Sequence, residues 1–170
     1  MDFKCHGLSK SYDGKAVLRD VSLSLPEGEV TTLMGHSGSG KTTLLRCLSL
    51  LETPDAGEIR IGSEKYQFGM MDAGRSRPSI YPAVTVVFQQ LFLWPHLTCR
   101  ANLELASPDR LELERWIGYF DMSEFLDRHP GKASVGQQQR VALVRALALQ
   151  PRVLLLDEVT SALDDHLTML

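Results

Sequence analysis

The stretch "GHSGSGKTT", Gly35 to Thr43, carries the pattern glycine, four residues, glycine, lysine, threonine. Glycines at 35, 38 and 40 let the backbone turn its N–H groups inward around an anion. A helix beginning near Lys41 adds the positive end of its dipole. Lys41 can then reach the β- and γ-phosphates of a nucleotide, and the Thr42 hydroxyl can ligate Mg²⁺. Far downstream, "VLLLDE" ends an apolar run in two acids. Asp157 stands where a carboxylate approaches Mg²⁺ from the far side, and Glu158 can polarise an attacking water as general base. Each feature alone has a bland explanation, a flexible connection for the loop and a solvated turn for the acids. Together they point to nucleoside triphosphate hydrolysis.

Such residues need elements to hold them. "VSLSL" (Val21 to Leu25) alternates with period two as a half-buried strand does, and "PEGE" supplies a turn. "VTTLM" (Val30 to Met34) is expected as a second strand leading into the glycine loop. "TTLLRCLSLL" then places Leu44, Leu45, Leu48 and Leu51 at helical spacing before Pro54. "GEIRIG" is a short strand candidate, and "AVTVVFQQ" (Ala83 to Gln90) reads as a buried strand. Helical composition runs from about Cys99 to Asp127 with a break at Pro108, "HPGKASVG" is a loop, and "QQQRVALVRALALQ" is a helix. Its expected apolar face is Val141, Val144, Leu147 and Ala148. "RVLLLDE" has the continuous apolar character of a strand buried on both faces. Strands alternating with helices imply an α/β domain with a largely parallel core sheet.

A length of 170 residues suits one domain with a proper core, and 44% hydrophobic with 23% charged residues is ordinary for a globular chain. A net charge of −3 gives no electrostatic case for nucleic acid. Cys5, Cys47 and Cys99 are widely spaced and odd in number, which argues against a disulfide framework or zinc site and fits a reducing compartment. With no apolar run long enough to cross a bilayer, a cytoplasmic chain is expected, any membrane role coming through a partner.

The motifs and their order resemble the nucleotide-binding subunit of an ATP-binding cassette (ABC) transporter, from about Leu8 to the last residue. "SYDG" offers Tyr12 as the aromatic that stacks on adenine in that family, and "GHSGSGKTT" is similar to its Walker A loop, implying ATP contacts from Gly35, His36, Ser37, Gly38, Ser39, Gly40, Lys41, Thr42 and Thr43. "VVFQQ" resembles the Q-loop, with Gln89 as the sensor of metal and γ-phosphate; "VLLLDE" resembles Walker B, and "SALD" (Ser161 to Asp164) the D-loop, with Asp164 near the nucleotide. "SVGQQQR" occupies the signature position. The resemblance implies two such domains pairing head to tail, with Ser134, Gly136 and Gln137 of one facing the ATP of the other. Ser134 and Gln137 also form an S-x-x-Q capping-box pattern. "FLWPHLT" (Phe92 to Thr98) falls where the family docks its transmembrane permease, though its aromatics could equally be local core. "LLRCLSLLETPDAGEI" and "VVFQQLFLWPHLT" look most like importers of polar amino acids.

The resemblance implies a P-loop NTPase core with a largely parallel sheet, an N-terminal antiparallel β subdomain and an inserted α-helical subdomain over residues 91–133, all in one ATP-binding domain over residues 1–170. It implies ATP and Mg²⁺ as ligands, a second nucleotide-binding subunit and a permease as partners, and a place on the inner face of the cell membrane. Three departures stand out. Ala133 and Val135 replace the usual leucine and first glycine of the signature, and a β-branched residue resists positive φ. Val159 replaces the usual proline after the Walker B glutamate. The family's switch histidine belongs beyond the D-loop, and His166 lies too near Glu158 to fill that role, so the C-terminal part of the family fold is expected to be missing here, by fragmentation or natural shortening. An ATP-binding regulatory protein with little hydrolysis is therefore the alternative function.

Overall fold

Asp13 and Gly14 both take positive φ, 49° and 77°, the geometry of a type I′ turn. They close a hairpin of β1 (Phe3–Tyr12) and β2 (Lys15–Leu25), with Tyr12 opposite Lys15. The computed structural model describes residues 2–69 and 79–159. The chain divides into two units, Met1–Tyr81 and Pro82–Leu170.

In the first unit, β1 also pairs with β3 (Ala56–Ile61), which pairs with β4 (Glu64–Phe68), giving an antiparallel sheet in the order β2-β1-β3-β4. Phe3 and Cys5 are buried with period two, but the next buried residue of β1 is Leu8. A register shift between Cys5 and Leu8 accounts for the change of parity, because a bulge's extra residue swaps the faces. Phe3, Leu8 and Ile59 are fully buried, each contributing about 1.5–3 kcal/mol by transfer from water. Helix α1 (Lys41–Leu48) seats Leu44, Cys47 and Leu48 in the interior.

Two sequence expectations change in this unit. The segment Val30 to Met34 enters no β-ladder among the described residues, and Val30 and Met34 are 95% and 85% exposed. An apolar run states a preference for strand but supplies no partner edge, and pairing decides. Leu51, expected on the apolar face of α1, is exposed because the helix ends at Leu48 and the chain turns through Leu50 at φ 55°.

In the second unit, β5 (Val84–Val87) and β6 (Val153–Leu156) run parallel, Val84 opposite Val153 and Val87 opposite Leu156. Parallel neighbours require a long crossover. Here it contains α2 (Cys99–Glu104), α3 (Arg110–Tyr119), a 3-10 turn at Pro130–Lys132 and α4 (Val135–Leu147). Each helix has a side-chain cap of the kind its sequence offers. Thr98 accepts from the Ala101 amide, Asp109 from Leu111 and Glu112, and Ser134 from Gln137. The helices share a core that includes Leu103, Leu113, Ile117, Met122, Phe125, Val141 and Val144. The β6 strand is less covered than its composition suggests: Leu155 is buried while Val153, Leu154 and Leu156 are half-buried, since among the described residues the parallel sheet has only β5 and β6.

Candidate functional site

Gly40 is the N-cap of α1 in left-handed geometry, φ 92°, and no side chain caps that helix. The first-turn end of α1 is thus left with the polarity that suits an anion. A Cβ at Gly40 would lie 3.1 Å from Val17 Cγ1 and 3.3 Å from the Val17 carbonyl, so β2 and the helix start meet here with room for hydrogen only. The loop before it is a tight exposed turn, with the Ser39 amide donating to His36 O at 3.2 Å. Lys41 folds back over this turn: its Nζ donates to Gly35 O at 2.9 Å and His36 O at 3.0 Å. The His36 ring Nδ1 lies 2.9 Å from Ser37 O. Thr42 and Thr43 follow in the first turn of α1, half-buried.

Tyr12 ends β1 with its ring 39% exposed. Its pKa is raised, chiefly by the Glu52 carboxylate near its hydroxyl, with Thr43 acting in the opposite sense. The Lys10 ammonium sits 5.6 Å from the ring centroid. Lys10 and Glu52 carried no motif, so the sequence reading passed over them. The available signal was Lys10 two residues before Tyr12 on one strand, hence on the same side.

In the second unit, the parallel register brings two functional ends to one edge of the sheet. Gln89 lies two residues past β5 and is exposed, and Asp157 directly follows β6. The Asp157 amide donates to Val87 O at 2.9 Å, extending the pairing by one step. Asp157 is buried, 8% exposed, whereas Glu158 is exposed with φ 54°. That left-handed turn, uncommon for a non-glycine residue, points the two successive acids into different surroundings. Val159 is 1% exposed and packs with Val87, Ala142 and Ala146, so it fills a core position. The carboxyl edge of parallel strands is where α/β sheets place their ligands. Asp164 and the rest of "SALD" lie outside the described residues.

The signature segment forms a complete capping box: Ser134 Oγ accepts from the Gln137 amide at 3.2 Å, and Gln137 Oε1 accepts from the Ser134 amide at 2.9 Å. Val135 is the first residue of α4, with helical backbone, and is absent from the positive-φ residues. The expected conflict between a β-branched side chain and positive φ therefore does not arise. Its side chain is 69% exposed, and a Cβ at Gly136 would meet nothing within 4 Å.

The chain after Gln89 is tied down twice. Arg145 of α4 donates to Leu91 O at 2.8 Å and Phe92 O at 2.9 Å, with its guanidinium 5.1 Å from the Trp94 ring centroid. Asn102 of α2, fully buried, accepts from the Trp94 amide at 2.8 Å and donates to the Trp94 and Thr98 carbonyls at 3.1 and 2.9 Å. Phe92, with φ 47°, stays 59% exposed and Trp94 37%, while Leu93 packs against the helical core. The aromatics of "FLWPHLT" thus lie at the surface, while Leu93 packs against the helical core.

Residues 18–161 match the family model described as ABC transporter. The chain is 38% identical over 178 residues to the arginine transport ATP-binding protein ArtP of Escherichia coli (strain K12), covering 99% of this chain and 73% of that protein. It is 46% identical over 151 residues to the molybdenum import ATP-binding protein ModC of Thiobacillus denitrificans, covering 85% of this chain and 41% of that one. Among solved structures it is similar to MJ0796, a bacterial ABC transporter cassette seen as a dimer: TM-score 0.75, 33% identity, 98% of this chain and 78% of that chain. A post-hydrolysis dimer of the same cassette with ADP and Pi gives TM-score 0.73 at 32% identity, covering 94% of this chain and 75% of that chain.

Proposed function

The chain belongs to the ABC transporter family, and on that premise we propose that it is the ATP-binding and ATP-hydrolysing subunit of an importer of a small polar solute, an amino acid first among them. The observation that carries the catalytic part is the edge where β5 and β6 end together, with Asp157 buried and Glu158 turned out beside it. A buried carboxylate for the metal and an exposed one for water are different tasks, and one left-handed residue separates them.

Lys41 and the loop amides would take the phosphates, the ammonium leaving the Gly35 and His36 carbonyls for phosphate oxygens. Thr42, Gln89 and Asp157 present hard oxygen donors of the kind Mg²⁺ selects, and a site completed by substrate phosphates needs no protein cage. Mg²⁺ there would neutralise charge developing on the phosphoryl oxygens. Tyr12 would stack on the adenine.

Two subunits would pair so that Ser134, Gly136 and Gln137 of one meet the γ-phosphate of the other, with Asp164 nearby; the exposed helix end at Ser134 supports this. The Ser134 hydroxyl accepts within its own capping box and keeps its hydrogen to donate. The segment from Phe92 to Thr98 would meet the permease, giving the chain its place on the inner face of the membrane. Among the described residues no helix is long and apolar enough to cross one. The amino-acid reading draws on ArtP, which spans 99% of this chain against 85% for the molybdenum protein. The regulatory alternative rested on the altered signature and the missing switch histidine; of these, the backbone strain expected at Val135 is absent, its backbone being helical.

Steady-state ATP hydrolysis against protein concentration tests this reading. Activity should rise faster than linearly, and Glu158→Gln should abolish turnover while ATP still binds. Undiminished hydrolysis by Glu158→Gln would reject the assigned base, and strictly linear activity would reject paired sites.

A further inference from the structure

Tyr12 is held more firmly than an exposed aromatic at a strand end needs to be. Lys10 lies against its ring, and that ammonium cannot swing away: its Nζ donates to Thr53 O at 2.9 Å and Asp55 Oδ1 at 3.1 Å and lies 3.7 Å from Glu52 Oε1. The Lys10 and Glu52 side chains are only 15% and 21% exposed. Asp55 is itself fixed to the strand, accepting from the Ser11 amide at 2.7 Å and donating its own amide to Ser9 O at 2.8 Å. At the far end of the ring, the Glu52 carboxylate and Thr43, two residues past Lys41, lie near the phenol, the carboxylate raising its pKa.

We propose that Lys10 and Glu52 are positioning residues that clasp the Tyr12 ring, one at its face and one at its hydroxyl, so that it is pre-set to stack on a purine base. The proposal rests on the reading of Tyr12 as the base-stacking residue and adds what makes that stacking effective. A phenol on a strand end rotates about two side-chain torsions, and fixing it before the base arrives removes an ordering cost from binding. A cation on one face also draws π density from the ring, which favours an electron-rich purine on the other. Thr43, near the phenol, belongs to the helix that follows the phosphate loop, so base and phosphate contacts would share one frame.

Titration calorimetry with ATP and with inorganic tripolyphosphate separates base from phosphate binding. Tyr12→Phe and Glu52→Ala should each weaken ATP binding about threefold to tenfold and leave tripolyphosphate binding unchanged. Glu52→Gln, which keeps an acceptor for the phenol, should retain most of the affinity. Should Glu52→Ala not fold, Tyr12→Phe carries the same expectation. If Tyr12→Ala weakens ATP binding while Tyr12→Phe and Glu52→Ala match the unaltered protein, stacking stands and the clasp is wrong. If Tyr12→Ala binds ATP normally, the stacking reading fails and the clasp falls with it. A parallel loss of tripolyphosphate affinity would assign these residues to support of the loop and overturn the proposal.

Discussion

Replacing Gly40 with alanine imposes two separate penalties whose sizes follow from the local geometry. The backbone stands at φ 92°, and left-handed geometry costs an L-residue about 1–2 kcal/mol. The new Cβ would also stand 3.1 Å from Val17 Cγ1, 3.3 Å from Leu18 Cδ2 and 3.3 Å from the Val17 carbonyl. Crowding of that kind in a packed site costs about 1–3 kcal/mol. The sum is about 2–5 kcal/mol. Gly38 provides the internal control: its φ is 76°, but a Cβ there meets nothing within 4 Å, so Gly38→Ala should cost only about 1–2 kcal/mol. Gly35→Ala completes the set, since its φ is not left-handed and the one close approach of its Cβ would be to the rotatable Ser39 Oγ at 2.8 Å, Ser39 Cβ and Lys41 Cδ lying at ordinary distances of 3.5 and 4.0 Å. Thermal unfolding by circular dichroism gives the order directly. At about 2–4 °C per kcal/mol for a chain of this size, Gly40→Ala should lower Tm by about 4–20 °C and Gly38→Ala by about 2–8 °C. A Gly38→Ala variant as damaged as Gly40→Ala would show that contact with β2 contributes nothing, and would refute the packing argument.

Val135→Gly should change little: the residue is helical and exposed, so the loss is one of helix propensity, about 0.5 kcal/mol, with ATP affinity unaltered in calorimetry. A large gain in hydrolysis on that substitution would mean the valine does obstruct the trans phosphate. Burial, with the nearby Glu52 carboxylate, pushes the Cys47 thiol up to about 11. A folded-state pKa raised in this way gives stability that is full below about pH 9 and declines as pH rises towards 11; urea midpoints across that window should fall, and Cys47→Ala should flatten the decline.

Local signals were the legible ones. Ser134 and Gln137 announced their capping box by spacing, and the glycine loop announced its left-handed turns by composition, because each depends on atoms within one turn of chain. The positions of Asp157 and Gln89 were legible for a related reason, as each simply follows an apolar strand. What depended on distant partners was not. Nothing in "VTTLM" reveals whether an edge exists for it to join. Glu52 is forty residues from Tyr12 in sequence, and only the packing of α1 beside the hairpin brings carboxylate and phenol together. Val135 misled differently: the family pattern suggested a backbone constraint, and the cap at Ser134 places the residue inside the helix, where that constraint disappears.

The double tether on the chain after Gln89 bears on how fast and how cheaply anything can associate there. Asn102 and Arg145 fix its carbonyls from two helices while Phe92 and Trp94 remain at the surface. Ordering a loop on contact costs about 1–2 kcal/mol per residue, and a loop already ordered avoids most of it. A partner meeting this face encounters aromatic groups in fixed places, so encounter can lead to docking without a slow search, and its affinity reflects contacts made rather than motion lost.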